Sequence, residues 1–205
     1  MKQNFFFIAA LLLLALSVFG FSDNLFTNVG QKSNSDPKFI IHGSFWLAWM
    51  ILLVVQTGLV RKKDYRTHIR LGVAGMVIAA GVVVSTLYVF YAVYKGWDLM
   101  PSYVKANRFN MLAFTVLVFL AFRHRKKPAW HKRFILVGTL LVQEPILSRA
   151  SDKVGIDPLV GIMAIVNLFF IALFIYDWIV LKRIHPISYL GFIWMYLVQG
   201  IAEVL

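Results

Sequence analysis

The 205-residue chain contains no cysteine. That excludes disulfides, thiolate metal sites, iron–sulfur clusters and cysteine nucleophiles. Acid is scarce too, with 9 Asp and Glu against 21 Lys and Arg, and charged residues of both signs make up only 15% of the chain. Soluble domains run about a quarter charged. No His-Glu-x-x-His zinc helix, Gly-x-Ser-x-Gly elbow or phosphate-binding glycine loop occurs. His42-Gly43-Ser44 places a serine near a histidine, but without an orienting acid. No hydrolase or transferase signature is present, and a redox role stays open.

What remains is apolar. Hydrophobic residues make up 60% of the chain, in long recurrent runs, so the expectation is an all-α polytopic membrane bundle. The net charge of +12 would suggest nucleic acid in a soluble protein. Here the Lys and Arg lie in alternate loops, the pattern that membrane insertion produces, and no nucleic-acid partner is expected.

Seven spans are read. Phe5 to Phe21 follows Met1-Lys2 and is either a retained helix or a signal segment with small residues at Val18 and Gly20; a retained first helix (1–21) is favoured. Residues 22–38 form a polar outer loop. The second and third spans are Phe39 to Val60 and Leu71 to Tyr94. The fourth is Asn110 to Phe122, drawing on the preceding segment to reach full length, and the fifth is Phe134 to Ala150. These four make a membrane core over 39–150, and 151–205 adds spans at Leu159 to Leu181 and Ile187 to Leu205. Lys2, the 61–70 turn, the 123–133 turn and Lys182-Arg183 then share one side, which the positive-inside rule makes cytoplasmic. The topology is N-in/C-out.

Two turns echo one another. Arg61-Lys-Lys-Asp-Tyr-Arg-Thr-His68-Ile-Arg70 and Arg123-His-Arg-Lys-Lys-Pro-Ala-Trp-His131-Lys-Arg133 each end in His-x-Arg where a span begins. Asp64 suits a helix N-cap and Pro128 a first helical position. His68 and His131 therefore fall in the opening turns of outward-running helices at similar depth. A helix N-terminus and neighbouring cations disfavour imidazolium, and a neutral imidazole is what a metal requires. A b-type haem between His68 and His131, with Arg70 and Arg133 among the cations meeting its propionates, is the leading cofactor expectation. The plainer alternative is that basic turns mark topology and the histidines touch headgroups or backbone carbonyls.

Other polar residues lie within the spans. His42 stands about a turn into the second span, and Gln56 lies roughly 21 Å further along nearly the same face at 1.5 Å per residue. His42 is either an outer-side haem ligand without a fourth-span partner or a packed, hydrogen-bonded residue. Glu144 precedes Pro145, which cannot donate to the carbonyl of Leu141, so a kink is expected. An intramembrane carboxylate is a candidate for proton transfer or a packing network. Arg149 could face His42 or Glu203, and Asp177 most simply pairs with Lys182 and Arg183.

The combination of His42 opening a span, Gln56 before a basic turn, Arg66-Thr-His68-Ile-Arg70-Leu-Gly72, Arg125-Lys-Lys-Pro-Ala-Trp-His131-Lys-Arg133 and Arg149 resembles a bacterial membrane family of no established activity, domain of unknown function 2306, over about residues 40 to 150. The layout is also similar to transmembrane b-type cytochromes that reduce iron or move ascorbate electrons, which carry four histidines on four consecutive helices. Here the fourth-span histidine is absent, so at most one haem is implied. The resemblances imply a bacterial inner-membrane protein with the lipid bilayer as environment and a membrane-protein, quinone or redox partner. The competing expectations are a cofactor-free binding or assembly subunit and a small proton-coupled transporter using Glu144 and Arg149.

Overall fold

The computed structural model describes residues 4–205, so Met1 and Lys2, the first basic marker, lie outside the described residues. Eight α-helices carry the chain: α1 (Phe5–Gly20), α2 (Pro37–Arg61), α3 (Tyr65–Ala92), α4 (Ser102–Arg123), α5 (Pro128–Leu141), α6 (Glu144–Lys153), α7 (Pro158–Leu181) and α8 (Pro186–Val204). Short π and 3-10 turns at Asp23–Thr27 and Lys32–Ser35 fill the loop after α1, and no strand occurs among the described residues. Five helices, α2, α3, α4, α7 and α8, are long and apolar enough to cross a membrane. This is a multi-pass membrane protein by that measure. The α1 helix has 16 residues, and the expected fifth span is divided between α5 and α6.

Local chemistry sets the helix ends. Asp36 caps α2 by accepting from the Lys38 N–H, Asp64 caps α3 by accepting from the Thr67 N–H at 3.1 Å, and Asp157 caps α7 through the Val160 N–H at 3.1 Å. Pro37, Pro128, Pro158 and Pro186 each open a helix, where a missing N–H costs nothing. Lys182 ends α7 in the left-handed region at φ 57°. The α4 helix starts at Ser102, so the fourth span does recruit the polar segment before Asn110.

The chain forms two compact units. The first takes the chain up to Tyr94 together with Ile146–Ile156; the second takes Lys95–Pro145 and Asp157–Leu205. The expected four-helix core is thus distributed over both.

In the first unit α2 packs against α1 and α3, with Leu13, Trp49, Met50 and Val82 buried. Arg61 lies over the Phe7 ring at 4.8 Å, which brings the start of α1 to the basic turn. At the other end, α1 meets α6 so closely that a Cβ on Gly20 would stand 2.7 Å from the Ile146 carbonyl oxygen. Only glycine allows that approach.

In the second unit α4 packs on α5 and α8, and α8 also packs on α5 and α7. Phe114, Val137, Phe170 and Leu173 are fully buried. A Cβ on Gly191 would meet Val137 Cγ1 at 2.2 Å, so this glycine sets the α5–α8 approach. Phe170, Phe174, Phe192 and Tyr196 form an edge-to-face ladder between α7 and α8. Outward-facing Val77, Val84, Leu112, Phe119, Leu168 and Ile175 are exposed, as residues bathed in lipid would be.

Candidate functional site

An irregularity lies at the end of α5. This helix runs 14 residues from Pro128, about 21 Å at 1.5 Å per residue, and stops at Leu141. Its last turn tightens, with the Val142 N–H reaching the Thr139 carbonyl at 3.4 Å and the Gln143 N–H reaching Leu140 at 3.3 Å. A new helix then starts at Glu144. The expected kink at Glu144-Pro145 is a full break. Pro145 supplies no N–H across it. The backbone groups freed at such a break must find partners in neighbouring side chains or solvent.

Three polar side chains stand at the break. Gln143 is fully buried; its Nε2 donates to the Thr139 carbonyl at 3.0 Å, while its Oε1 has no hydrogen-bond partner among the described residues. Glu144 accepts from Asn107 Nδ2 at 2.6 Å, through Oε2. A turn along α4, the buried Asn110 accepts from Trp194 Nε1 of α8 at 3.2 Å. Ala106, Val198 and Ala202 pack beside them with Phe109 and Trp194. A carboxylate, three amides and an indole thus gather where the helix is interrupted. Sequence reading singled out Glu144 but missed Asn107, Asn110 and Gln143. Their signal was the polar spacing Lys105, Asn107, Arg108, Asn110 in a segment taken mainly as a connection.

The opposite end of the same unit holds a buried ion pair with several hydrogen bonds. Arg133 and Asp177 are both fully buried and paired: Arg133 Nε donates to Asp177 Oδ1 at 2.8 Å, a second guanidinium nitrogen donates to the same oxygen, and Nη1 donates to the Ala129 carbonyl at 2.7 Å. Asp177 Oδ2 accepts from the His185 N–H at 3.0 Å and from Ser188 Oγ at 2.7 Å. Asp177 is therefore not the partner of Lys182 and Arg183, which lie exposed. Arg133 is spent on Asp177 and does not present its guanidinium to a haem propionate. Lys132 beside it donates to Tyr176 Oη at 2.8 Å.

His185 caps α8, its Nδ1 accepting from the Ile187 N–H at 3.3 Å. Burial holds its pKa below the usual value of 6.5, assisted by Arg133, Arg183 and Lys132 and opposed by Asp177. The Trp130 ring meets it edge-on at 4.6 Å. A depressed histidine pKa means the unfolded chain binds the proton first as pH falls. The cap's contribution is complete above about 6.5 and is lost as pH drops through the lower folded value. Acidification below that lower folded value is expected to remove on the order of 1 kcal/mol, the worth of an N-cap. In His185→Asn, which caps without titrating, the thermal midpoint should lose this part of its acid dependence.

The remaining expected site residues fall in both units. His68 lies in the first turns of α3, in the first unit, its N–H donating to the Asp64 carbonyl at 3.1 Å. His131 lies in α5, in the second unit, with Nδ1 2.9 Å from the Ala121 carbonyl. That contact places the ring hydrogen on Nδ1. Arg70 is exposed on α3. His42 has Nδ1 at 3.3 Å from Ser85 Oγ and 3.5 Å from Thr86 Oγ1, two hydroxyls that themselves donate to the Val82 carbonyl. It is a packed, hydrogen-bonded residue of the α2–α3 pair. Gln56 approaches Gly72, and its Oε1 is buried without a hydrogen-bond partner among the described residues.

Arg149 is displaced from its expected role. Its guanidinium donates to Asn24 at 3.1 Å, lies 3.6 Å from Asp23 and covers the Phe21 ring. Glu203 accepts instead from Ser102 at 2.7 Å and from Gln199 at 3.1 Å. The Lys153 ammonium donates to Asp23 at 2.8 Å and holds that carboxyl down at about 2. Arg149 and Lys153 thus fasten the loop after α1 to α6. Among the described residues no group of three or more His, Asp or Glu side chains stands together as a metal site. No family model, curated protein or solved structure matches the chain.

Proposed function

We propose that the chain is a seven-span protein of the bacterial inner membrane, N-in/C-out with α5 and α6 together making the fifth crossing, and that it moves a proton, alone or with a small polar solute, at Glu144. The observation that carries this reading is the helix break at Val142 and Gln143, which sets a carboxylate and an incompletely bonded amide about 21 Å along α5 from its basic end. A carboxyl group at such depth is costly to retain without use. Asn107 holds Oε2 and fixes the rotamer, so Oε1 is the atom that takes and releases the proton. The transporter reading loses Arg149, which serves the loop after α1, and gains Asn107 and Gln143.

Within each unit, side-chain contacts agree with the topology. Arg61 over Phe7 puts the start of α1 and the first basic turn at one end, and Trp130 against His185 puts the turns before α5 and α8 at one end. The test is proton flux into liposomes containing the purified protein and an internal pH-sensitive dye, under an imposed gradient. Glu144→Gln should reduce flux at least tenfold while the thermal midpoint stays within a few degrees. Flux equal to wild type in Glu144→Gln, or no flux in wild type above empty liposomes, would sink the reading.

A further inference from the structure

The basic end of the second unit carries exposed charge that no acid among the described residues pairs. Arg123, Arg125, Lys126 and Lys127 follow α4, and Lys182 and Arg183 follow α7; all six are exposed. The two turns are 55 or more residues apart in sequence but adjacent in space. Trp130 joins them, stacked on His124 at 6.0 Å between centroids and edge-on to His185 at 4.6 Å. The unit's acids are Asp98, Glu144, Asp157, Asp177 and Glu203. Asp98, Asp157 and Glu203 lie at the far ends of α4, α7 and α8, Glu144 lies at the helix break, and Asp177 is committed to Arg133. None of the six exposed cations has an acid partner among the described residues.

We propose that these two turns form a binding surface for the phosphate headgroups of anionic phospholipids. Three candidate spans, α4, α7 and α8, begin or end here, so the cations stand at headgroup depth. Exposed Phe122, Ile184 and Tyr189 flank them and face the adjoining acyl region. Basic residues at a bilayer surface attract anionic lipid with a strength that grows with each added charge and falls with salt. The positive-inside rule accounts for the basic residues in each turn taken alone. It does not account for two distant turns being clamped side by side through Trp130 with no acid between them.

The test is lipid retention. Protein is reconstituted from equimolar phosphatidylglycerol and phosphatidylcholine, extracted mildly, and its retained lipid quantified by native mass spectrometry. Wild type should retain phosphatidylglycerol at least about threefold over phosphatidylcholine. The variant Lys126→Gln/Lys127→Gln/Lys182→Gln/Arg183→Gln should fall to parity, and the charge-keeping Lys126→Arg/Lys127→Arg/Lys182→Arg should retain the enrichment. Arg61→Gln/Lys62→Gln/Lys63→Gln, in the other unit, should leave most of it in place. If the fourfold variant does not fold, Lys127→Gln and Arg183→Gln singly should each lower the ratio. Parity in wild type overturns the proposal, as does enrichment that survives removal of the four charges. So does tight binding of a soluble polyanion such as inositol hexaphosphate by the detergent-solubilised protein without lipid enrichment, since that would assign the surface to a soluble partner.

Discussion

Replacing Asp177 by alanine is expected to cost about 3–5 kcal/mol of stability, because it leaves the Arg133 guanidinium buried without its counter-charge. For a chain of this size that lowers the thermal midpoint by roughly 10 °C or more, read on purified protein in detergent. The double variant Arg133→Leu/Asp177→Leu removes both charges and should recover part of the loss, since apolar replacements of buried pairs are often tolerated. Recovery will be incomplete. Asp177 also accepts from the His185 N–H and Ser188 Oγ, and each of those donors loses its acceptor at a cost of about 1–3 kcal/mol. Ser188→Ala alone, removing one neutral donor, should cost only about 1–2 kcal/mol. Arg183→Ala should stay within about 0.5 kcal/mol, as an exposed residue with no acid partner among the described residues. If Arg183→Ala matched Asp177→Ala, the local pairing read from sequence would be the correct one after all.

That contrast explains what was legible. Apolar runs located the ends of α2, α7 and α8 to within one or two residues, because that signal is local. Glu144-Pro145 marked the place of the interruption for the same reason, though as a kink and not as a break. The partner of Asp177 was not legible, because Arg133 lies 44 residues away and only the packing of α5, α7 and α8 unites them. Nearby Lys182 and Arg183 offered a shorter and mistaken pairing. Arg149 failed likewise: helical periodicity gave its face, but its partners Asn24 and Asp23 come from a loop about 125 residues earlier. The echo between the two His-x-Arg turns was real as a sequence pattern, yet it led to different settings. Arg70 is exposed and Arg133 is the largest fully buried side chain among the described residues. A pattern of residue types records depth and polarity; it does not record which third helix comes to meet it.

Gln143→Leu is expected to make the protein more stable and less active. The side chain is fully buried with Oε1 lacking a hydrogen-bond partner among the described residues, and burying an amide oxygen unbonded costs about 1–3 kcal/mol. Its other group, Nε2, donates to the Thr139 carbonyl, which the Val142 N–H also approaches at 3.4 Å. Removing the amide therefore leaves that carbonyl with a donor. Leucine is close in volume, so no large cavity opens, and the net change should be a gain of about 1–2 kcal/mol. If the break exists to present acceptors beside Glu144, the same substitution should slow proton flux in liposomes several-fold. A rise in thermal midpoint with a fall in flux is the combination expected of strain retained for use. A fall in both would make Gln143 a packing residue and the break a structural one. A rise in stability with unchanged flux would place the proton path on Glu144 and Asn107 alone. The sign of the stability change is the more informative half, since nearly all other substitutions of fully buried residues in this molecule should destabilise it.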